Sequence, residues 1–331
     1  KLTVIPENLK EYTRAQLGKT AVNTFAGINA SLMKSISKPV RCYSLGLYFE
    51  QVFFLGQSMK LDDIIKDNSI KKIDLYACQF NPNIDINMNT TSYSSLNIVE
   101  NIKKIFIESD TKHLTVAVDC TIDYLNSPQM NDLLNKYNKE IIDGKLNFVF
   151  FRSGQKFDML GMDNYFGSPF FVINNGSKTW KDYDHLFEGK AYKTDSLSLQ
   201  WFCLANRYIS ELMDDYRKQI FDNSREILKL IPDNLKPNNT PDQKIRVSSV
   251  IDDKMLVSFI DIKITGDNQS ERVREMEVKF FDICAQKGIM VHSKPSFGFY
   301  INNINRITGD GVINLRINPG LDPKNVQIIA E

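Results

Sequence analysis

The chain has 331 residues, of which 42% are hydrophobic, and a formal net charge of +1. That length and apolar content allow one large domain or two unequal ones, and a charge near zero gives no electrostatic footprint for nucleic acid or an anionic membrane. No apolar run approaches the ~20 residues of a membrane span, and the first residues lack the apolar core of a signal peptide.

The cysteines and histidines indicate a reduced protein without a metal site. The five cysteines are odd in number, scattered and without a CxxC pair, which is typical of free thiols in the cytosol. They are Cys42, Cys78, Cys120, Cys203 and Cys284. The three histidines lie far apart in sequence and make no metal-ligand spacing. We therefore expect a cytoplasmic location and no bound metal.

Helical and extended patterns alternate through the first two thirds of the chain. Helices are predicted in "NTFAGINASLMKSI", "LDDIIKDN", "SLNIVENIKKIFIES" and "MNDLLNKYNKEIIDG". Strands are predicted in "IDLYAC", "LTVAVDC", "LNFVFF" and "PFFVINN". Continuous apolar strands that alternate with helices are typical of a mostly parallel sheet covered on both faces. The predicted fold class is therefore α/β.

The last third predicts a smaller α+β domain. A helical stretch runs from Ser196 to Leu230, and the polar segment "PDNLKPNNTPDQK" follows it. Beyond that boundary, "MLVSFIDIKI", "IMVH" and "GVINLRIN" predict strands, and "SERVREMEVKFFDICAQKG" predicts a helix. We expect an N-terminal arm and helix at 1–36, a large α/β domain at 37–200, and a connecting helix with a small C-terminal domain at 201–331.

Chemically unusual side chains follow three successive predicted strands. Asn81 follows the first strand, Asp119 ends the second, and Ser153 and Lys156 follow the third. Because ligands collect at the carboxyl ends of strands in open α/β sheets, these side chains could share a site. Each also has a plainer interpretation, since an acid there is often a cap or turn residue and a lysine a solvated loop residue. A lysine in a pocket can instead form a Schiff base with a carbonyl.

Seven segments, in order, resemble motifs of the fold-type I pyridoxal-phosphate enzymes. The closest branch is the Cys/Met-metabolism group, with cystathionine synthases and lyases and methionine γ-lyase. The segments are "EYTRAQLGKT" for the N-terminal Y-S-R arm, "KPVRCYSLGLYF" for the phosphate loop S-G-[ML]-A, "IDLYACQFNPN" for the stretch ending in S-N-P-T, "VAVDCTIDYL" for V-V-D-N-T-F-x-x-P-Y-L, "RSGQKF" for S-A-T-K-Y, and "KPSFGFYINNINRI" and "DGVINLRINPGLD" for two C-terminal motifs. The resemblance implies that family's fold: a mostly parallel sheet with helices on both faces plus a small α+β C-terminal domain.

The resemblance also implies pyridoxal 5'-phosphate as the cofactor. Lys156 would hold it as a Schiff base and shuttle protons, while Asp119 would keep the pyridine nitrogen protonated. Arg316 would bind the substrate α-carboxylate, and Asn81 and Ser296 match positions near the substrate. The further residues implied to bind the cofactor are Thr121 beside its ring, Ser153, Gly46 and Leu47 at its phosphate, and Tyr12 and Arg14 at the phosphate of a neighbouring subunit.

The activity implied is that of a lyase or transferase of amino-acid metabolism. Its substrate would be a small L-amino acid, from which a sulfur- or oxygen-linked group at the β or γ carbon is eliminated or replaced. The arm residues imply a homodimer or homotetramer, and no nucleic-acid or membrane partner is expected. Aminotransfer or condensation in a specialised pathway stays open as an alternative, as does a non-catalytic dimeric descendant. In plainer interpretations, Tyr12 and Arg14 form a surface pair and Arg316 faces solvent on its strand.

The chain departs from the family in three places. The family has about twice as many residues before its S-N-P-T stretch as lie between Gly46 and Asn81, including two strands and a ring-stacking tyrosine in a Y-G-G-T context. Either this part is deleted or the sequence closes over an omitted segment, and we favour the second explanation. Gln155 replaces the threonine before the lysine, and the loop reads S-L-G-L. A rival placement of the loop at Gly18 to Thr20 breaks the spacing from the Y-S-R-like arm.

Overall fold

The computed structural model describes two compact units of the chain. The described residues are 5–37, 40–45, 57–59, 72–80, 95–122, 128–161, 167–175, 183, 187–188, 192–236, 244–247, 258–309 and 312–331. The first unit comprises Lys1–Ile84, Tyr93–Gly154 and Phe166–Cys203, and the second comprises Asp85–Ser92, Gln155–Tyr165 and Leu204–Glu331. Over the described residues, no helix combines the length and the hydrophobicity that a membrane crossing needs.

The first unit is built on a seven-stranded sheet. Its strands are β1 (Thr13–Gly18), β2 (Arg41–Leu45), β3 (Gln57–Met59), β4 (Leu75–Gln79), β5 (Leu114–Asp119), β6 (Leu146–Phe151) and β7 (Ser168–Ile173). Their order in the sheet is β1-β7-β6-β5-β4-β2-β3. Strands β2 to β6 pair in parallel, and β7 runs antiparallel to both β6 and β1. The predicted mostly parallel sheet is therefore confirmed.

The central strands read as continuous apolar runs because both faces of the sheet are covered. Along β5, Val116 and Val118 belong to one buried cluster, whereas Ala117 between them belongs to the cluster on the other face. The helices that supply these clusters are α1 (Ala21–Ile36), α2 (Ser95–Glu108), α3 (Pro128–Lys136) and α4 (Asn138–Ile142). A strand buried on both sides has no polar face, which is why its sequence predicted it well.

The second unit contains a five-stranded sheet in the order β10-β11-β12-β9-β8. Its strands are β8 (Ile245–Val247), β9 (Ile260–Ile264), β10 (Val291–His292), β11 (Asn302–Gly309) and β12 (Val312–Asn318). Residues alternate along β12: Leu315 and Ile317 pack into an apolar cluster, and Asn314, Arg316 and Asn318 occupy the other face. Three helices of this unit add to the apolar cluster: α6 (Ser210–Leu230), α7 (Gln269–Gln286) and α8 (Val326–Ala330).

Several elements differ from the prediction. The segment interpreted as an arm contains β1, and the segment interpreted as a phosphate loop contains β2. The single helix predicted from Ser196 to Leu230 is two helices, α5 (Ser196–Tyr208) and α6, because Ile209 leaves helical geometry. β1 and α1, from the expected arm and helix at 1–36, both lie in the first unit. The predicted domain limits stay a prediction.

Gly161 lies in the turn that follows Lys156, and substituting it tests how closely that turn is packed. It has a φ of +67°, and an added Cβ would lie 2.1 Å from both the Gly298 carbonyl oxygen and the Tyr216 hydroxyl. We expect Gly161→Ala to lower the free energy of unfolding by several kcal/mol, as for an overpacked and strained site. Gly288→Ala is the matched control, because Gly288 has a φ of +70° but open space around it. It should cost only about 1–2 kcal/mol. Urea denaturation of the two variants measures the difference, and equal losses would show that φ alone matters.

Candidate functional site

The carboxyl ends of β5 and β6 carry three of the predicted cofactor residues. The strands stay paired to their last residues, Asp119 opposite Phe151, and the Cys120 N–H donates to the Phe151 carbonyl at 2.7 Å. Immediately beyond this bond, the Thr121 hydroxyl accepts from the Ser153 N–H at 3.0 Å. The structure thus brings Asp119, Thr121 and Ser153 together at one edge of the sheet.

Asp119 is a buried carboxylate held by neutral donors. Its side chain is 6% exposed, and its Oδ1 accepts from the Thr121 N–H at 2.8 Å and from the Thr121 hydroxyl. Hydrogen bonds of this kind stabilise the charged form of a carboxyl group and fix its orientation. A buried, oriented carboxylate of this kind suits a cationic ring nitrogen.

Tyr12 and Arg14 lie at β1, an outer strand of the described sheet. Arg14 pairs in register with Val172 of β7, and its guanidinium lies 4.0 Å from the centroid of the Phe187 ring. The Tyr12 carbonyl accepts from the Asn174 N–H at 3.0 Å, and a hydrogen bond with Glu11 raises the pKa of the Tyr12 hydroxyl. Both residues thus have contacts within the first unit, and their role at a neighbouring subunit stays a prediction.

The turn between β1 and α1 forms a close strand-to-helix junction. β1 ends at Gly18, and the Thr20 hydroxyl caps α1 by accepting from the Asn23 N–H at 3.0 Å. An added Cβ on Gly18 would lie 2.3 Å from the Thr24 hydroxyl oxygen. That oxygen is buried and has no hydrogen-bond partner among the described residues. The first N–H groups of a helix are open donors, and its dipole favours an anion.

This junction coincides with the rival placement of the phosphate loop. Asn81 lies 63 positions after Gly18 but only 35 after Gly46. Strands β2 and β3 lie between α1 and β4, so the two strands that the family has in this interval are present when the loop is at Gly18. Gly46, Leu47 and Asn81 lie outside the described residues, and their assignments stay predictions.

Lys156, in the second unit, is positioned beside Ser296. The Lys156 amine donates to the Ser296 hydroxyl and lies 5.5 Å from the centroid of the Phe297 ring. The Ser296 carbonyl accepts from the side-chain amides of Asn318 at 3.3 Å and Asn303 at 3.4 Å. Two predicted residues are therefore brought together, and both connect to the polar face of β11 and β12.

Arg316 is buried and paired with an acid. Its Nε and Nη2 donate to the two carboxylate oxygens of Asp261, each at 2.7 Å, and its guanidinium lies 3.6 Å from the Phe259 ring centroid. Arg316 and Asp261 are directly opposite each other in the pairing of β12 with β9. Both residues are 2% exposed, so the interpretation of Arg316 as a solvent-facing strand residue was wrong.

Neutral amides surround this ion pair on the same sheet face. Asn305 is opposite Arg316 on β11, and the Asn318 amide donates to its Oδ1 at 3.4 Å. Three buried amide atoms have no hydrogen-bond partner among the described residues: Asn305 Nδ2, Asn314 Oδ1 and Asn318 Oδ1. Buried polar atoms without partners are rare in folded proteins and call for a ligand or water. By contrast, no three His, Cys, Asp or Glu side chains of the described ranges converge as metal ligands.

The fold matches those of several solved enzyme structures. A cystathionine gamma synthase from Xanthomonas oryzae pv. oryzae superposes with a TM-score of 0.60 at 12% identity, covering 96% of this chain and 79% of that one. Apo CalE6, a methionine gamma lyase from Micromonospora echinospora, gives 0.58 at 11% identity, covering 98% and 82%. A serine palmitoyltransferase variant from S. paucimobilis with PLP bound gives 0.55 at 12% identity, covering 98% and 72%.

The chain has the architecture of the fold-type I pyridoxal-phosphate enzymes. This likeness confirms the fold that the ordered motifs implied, and at 11–12% identity it extends to the fold alone. No protein-family profile matches the chain, and no curated protein sequence matches it.

Thr121 is the link between Asp119 and Ser153. Thr121→Val would remove a donor to the carboxylate and leave the Ser153 N–H without its acceptor, so we expect the free energy of unfolding to fall by about 1–3 kcal/mol. Thr121→Ser keeps the hydroxyl and should stay much closer to the parent protein. Urea denaturation distinguishes the two. If Thr121→Val lost no more stability than Thr121→Ser, the hydroxyl would not be the stabilising part.

Proposed function

We propose that the protein is a pyridoxal-phosphate-dependent enzyme acting on the amino group of a small substrate. The observation that carries this proposal is the cluster of Asp119, Thr121 and Ser153 at the carboxyl ends of β5 and β6, in a chain with the fold-type I architecture. When bound, pyridoxal phosphate supplies an aldehyde that condenses with amines and a ring that accepts electrons from a substrate carbon.

The described residues fit the polar groups of this cofactor. Asp119 offers a buried carboxylate to the protonated ring nitrogen, and Thr121 keeps that carboxylate in place. For the phosphate, Ser153 offers a hydroxyl donor and the α1 N-terminus offers backbone N–H groups. The Thr24 hydroxyl beside Gly18, which has no hydrogen-bond partner in the described part of the chain, supports this second location, which we propose in place of Gly46 and Leu47.

Lys156 would form the covalent link and then transfer protons at the substrate carbon. It follows Ser153 by three residues in the chain, and its amine donates to the Ser296 hydroxyl. A lysine needs a fixed amine position and a nearby acceptor for both tasks. Ser296 supplies that acceptor, which gives it a positioning role.

The reaction that we propose first is elimination or replacement of a sulfur- or oxygen-linked side-chain group. The ordered resemblance to the Cys/Met-metabolism motifs supports it, and the structural neighbours include a methionine gamma lyase and a cystathionine gamma synthase. A homodimer in the cytoplasm, completed by Tyr12 and Arg14, belongs to the same proposal. Aminotransfer or condensation would use the same Asp119 and Lys156, so product analysis has to distinguish them.

The cofactor assignment is tested by trapping it on the protein. Borohydride reduction after incubation with pyridoxal phosphate should attach the pyridoxyl group to Lys156, and peptide mass spectrometry locates it. Lys156→Ala should abolish both this label and the visible absorption band. Lys294→Ala is the matched control, since the Lys294 amine also lies near an aromatic ring, 5.2 Å from Phe299. A label on another lysine, or none in the parent protein, would contradict the assignment.

The reaction is tested with the purified, cofactor-loaded protein. Cystathionine, a homoserine ester, methionine and cysteine would be supplied in turn, each as the free acid and as its α-carboxamide. Elimination predicts ammonia and a 2-oxo acid or its amide, together with a thiol from the sulfur-containing substrates (hydrogen sulfide from cysteine) or a carboxylic acid from the homoserine ester. Replacement predicts a new thioether when a second thiol is also supplied. Conversion of the cofactor to its pyridoxamine form by an amino donor would instead indicate aminotransfer. Cofactor loading without any product from the four substrates would sink the Cys/Met assignment and leave the cofactor assignment intact.

A further inference from the structure

The guanidinium expected to bind a substrate carboxylate already binds a carboxylate of this chain. Asp261 accepts from Nε and Nη2 of Arg316 at 2.7 Å each, which is the bidentate geometry that a substrate carboxylate would otherwise use. The aromatic ring of Phe259 lies against the same guanidinium, 3.6 Å away. The two donors that make arginine selective for carboxylates are therefore taken.

Displacing Asp261 would be costly. Arg316 and Asp261 are both 2% exposed, and the pairing of β12 with β9 holds them opposite each other. A second carboxylate at Arg316 would either leave the Asp261 charge buried without its partner or place two negative charges side by side. Either outcome disfavours an anionic substrate group at this position.

We propose that Asp261 determines substrate specificity by excluding a free α-carboxylate from Arg316. The substrate class would then be amines in which the α-carboxylate is masked as an amide or ester, or is absent. This inference rests on the proposed function and narrows its substrate. It changes the expectation that Arg316 grips an α-carboxylate, because the buried pair presents no net charge to a ligand.

The neighbouring side chains suit a neutral group. Asn305 lies directly opposite Arg316 on the neighbouring strand β11. Its amide nitrogen has no hydrogen-bond partner among the described residues. The amide oxygen of Asn318 likewise has none. One donor and one acceptor of this kind match an amide, which has both an N–H donor and a carbonyl acceptor, better than a carboxylate, which offers only acceptors.

The same polar face leads to Lys156. The Asn318 amide that donates to Asn305 also donates to the Ser296 carbonyl, and the Ser296 hydroxyl accepts from the Lys156 amine. The Phe259 ring against Arg316 lies 5.5 Å, centroid to centroid, from the Phe297 ring beside Lys156. The two rings thus connect the ion pair to the Lys156 amine within one unit, and the hydrogen bonds connect that amine to Asn305, which lies opposite Arg316.

The first experiment compares binding of propionate and propionamide to the full chain, with and without pyridoxal phosphate, by saturation-transfer NMR. We expect the parent protein to bind propionamide in preference to propionate. In the Asp261→Asn variant, the Arg316 guanidinium no longer binds a carboxylate of this chain. Propionate binding should therefore strengthen by about tenfold or more, equivalent to ~1.4 kcal/mol. Glu277→Gln is the matched control, because Glu277 pairs with Arg306 of the same sheet. It should leave the preference unchanged.

The second experiment uses cofactor-loaded protein with L-alaninamide, L-alanine and ethylamine, followed by the change in visible absorption. These amines differ in their own basicity. The deciding quantity is therefore the preference for L-alaninamide over L-alanine, compared between the parent protein and the variant. We expect Asp261→Asn to lower that preference at least tenfold. An unchanged preference, or a parent protein that binds propionate as well as propionamide, would overturn the inference.

The two proposals can fail separately. Failure of borohydride labelling at Lys156 counts against the cofactor, whereas the propionate comparison without cofactor still reports on Asp261. If Asp261→Asn does not fold, the parent protein alone tests the inference. Competition of propionate with propionamide at millimolar concentration would show that a carboxylate reaches the Arg316 guanidinium, which contradicts the proposed exclusion. Absence of such competition, with propionamide bound, supports it.

Discussion

The parallel pairing of β5 with β6 is the constraint on which the candidate cofactor site depends. Asp119 is the last residue of β5, and the bond from the Cys120 N–H to the Phe151 carbonyl closes the pair at that edge. A slip of one residue would turn each side chain to the opposite face of the sheet. The buried clusters on both faces oppose such a slip, so the apolar residues inside the sheet fix the carboxylate at its end.

Two buried acids are stabilised in opposite ways. Asp119 accepts from the backbone N–H and the hydroxyl of Thr121, two neutral donors that fix the orientation of its carboxylate. Asp261 is neutralised by Arg316, so its part of the second unit presents polar but uncharged groups. The same residue type therefore has two different proposed roles, binding a cationic group at Asp119 and excluding an anionic group at Asp261.

The sequence predicted those parts of the fold in which burial is uniform. Strands β4 to β7 are mostly apolar and buried on both faces, and continuous apolar runs identify them in the sequence. Polar residues make up half or more of β1 and β11, so "TRAQLG" and "NNINRITG" lack that signal. The segment at β2 was interpreted as a phosphate loop, since a short motif match outweighed its apolar character.

The residues of the candidate site also divide into those that the sequence indicates and those that it does not. Asp119 and Ser153 were singled out because strand ends in a parallel sheet meet at one edge, and Thr121 because it matches a family motif; their roles at a cofactor stay predictions. Asp261 was missed, since "FIDIKI" shows an alternating strand but not which residue of another strand lies opposite its acid. That information lies in the register of β9 with β12. Asp261 and Arg316 are opposite each other there, although they are 55 positions apart in the chain. Only long-range pairing could have revealed it.

The partnerless polar atoms argue against a purely structural role for the second unit's polar face. An unsatisfied buried polar group costs about 1–3 kcal/mol, and the total stability of a domain is only about 5–15 kcal/mol. Asn305, Asn314 and Asn318 each have such an atom on this face, among the described residues. Apolar residues there would give a more stable sheet. Keeping neutral amides beside a neutralised arginine is consistent with a face that binds a polar, uncharged group and is stabilised when that group arrives.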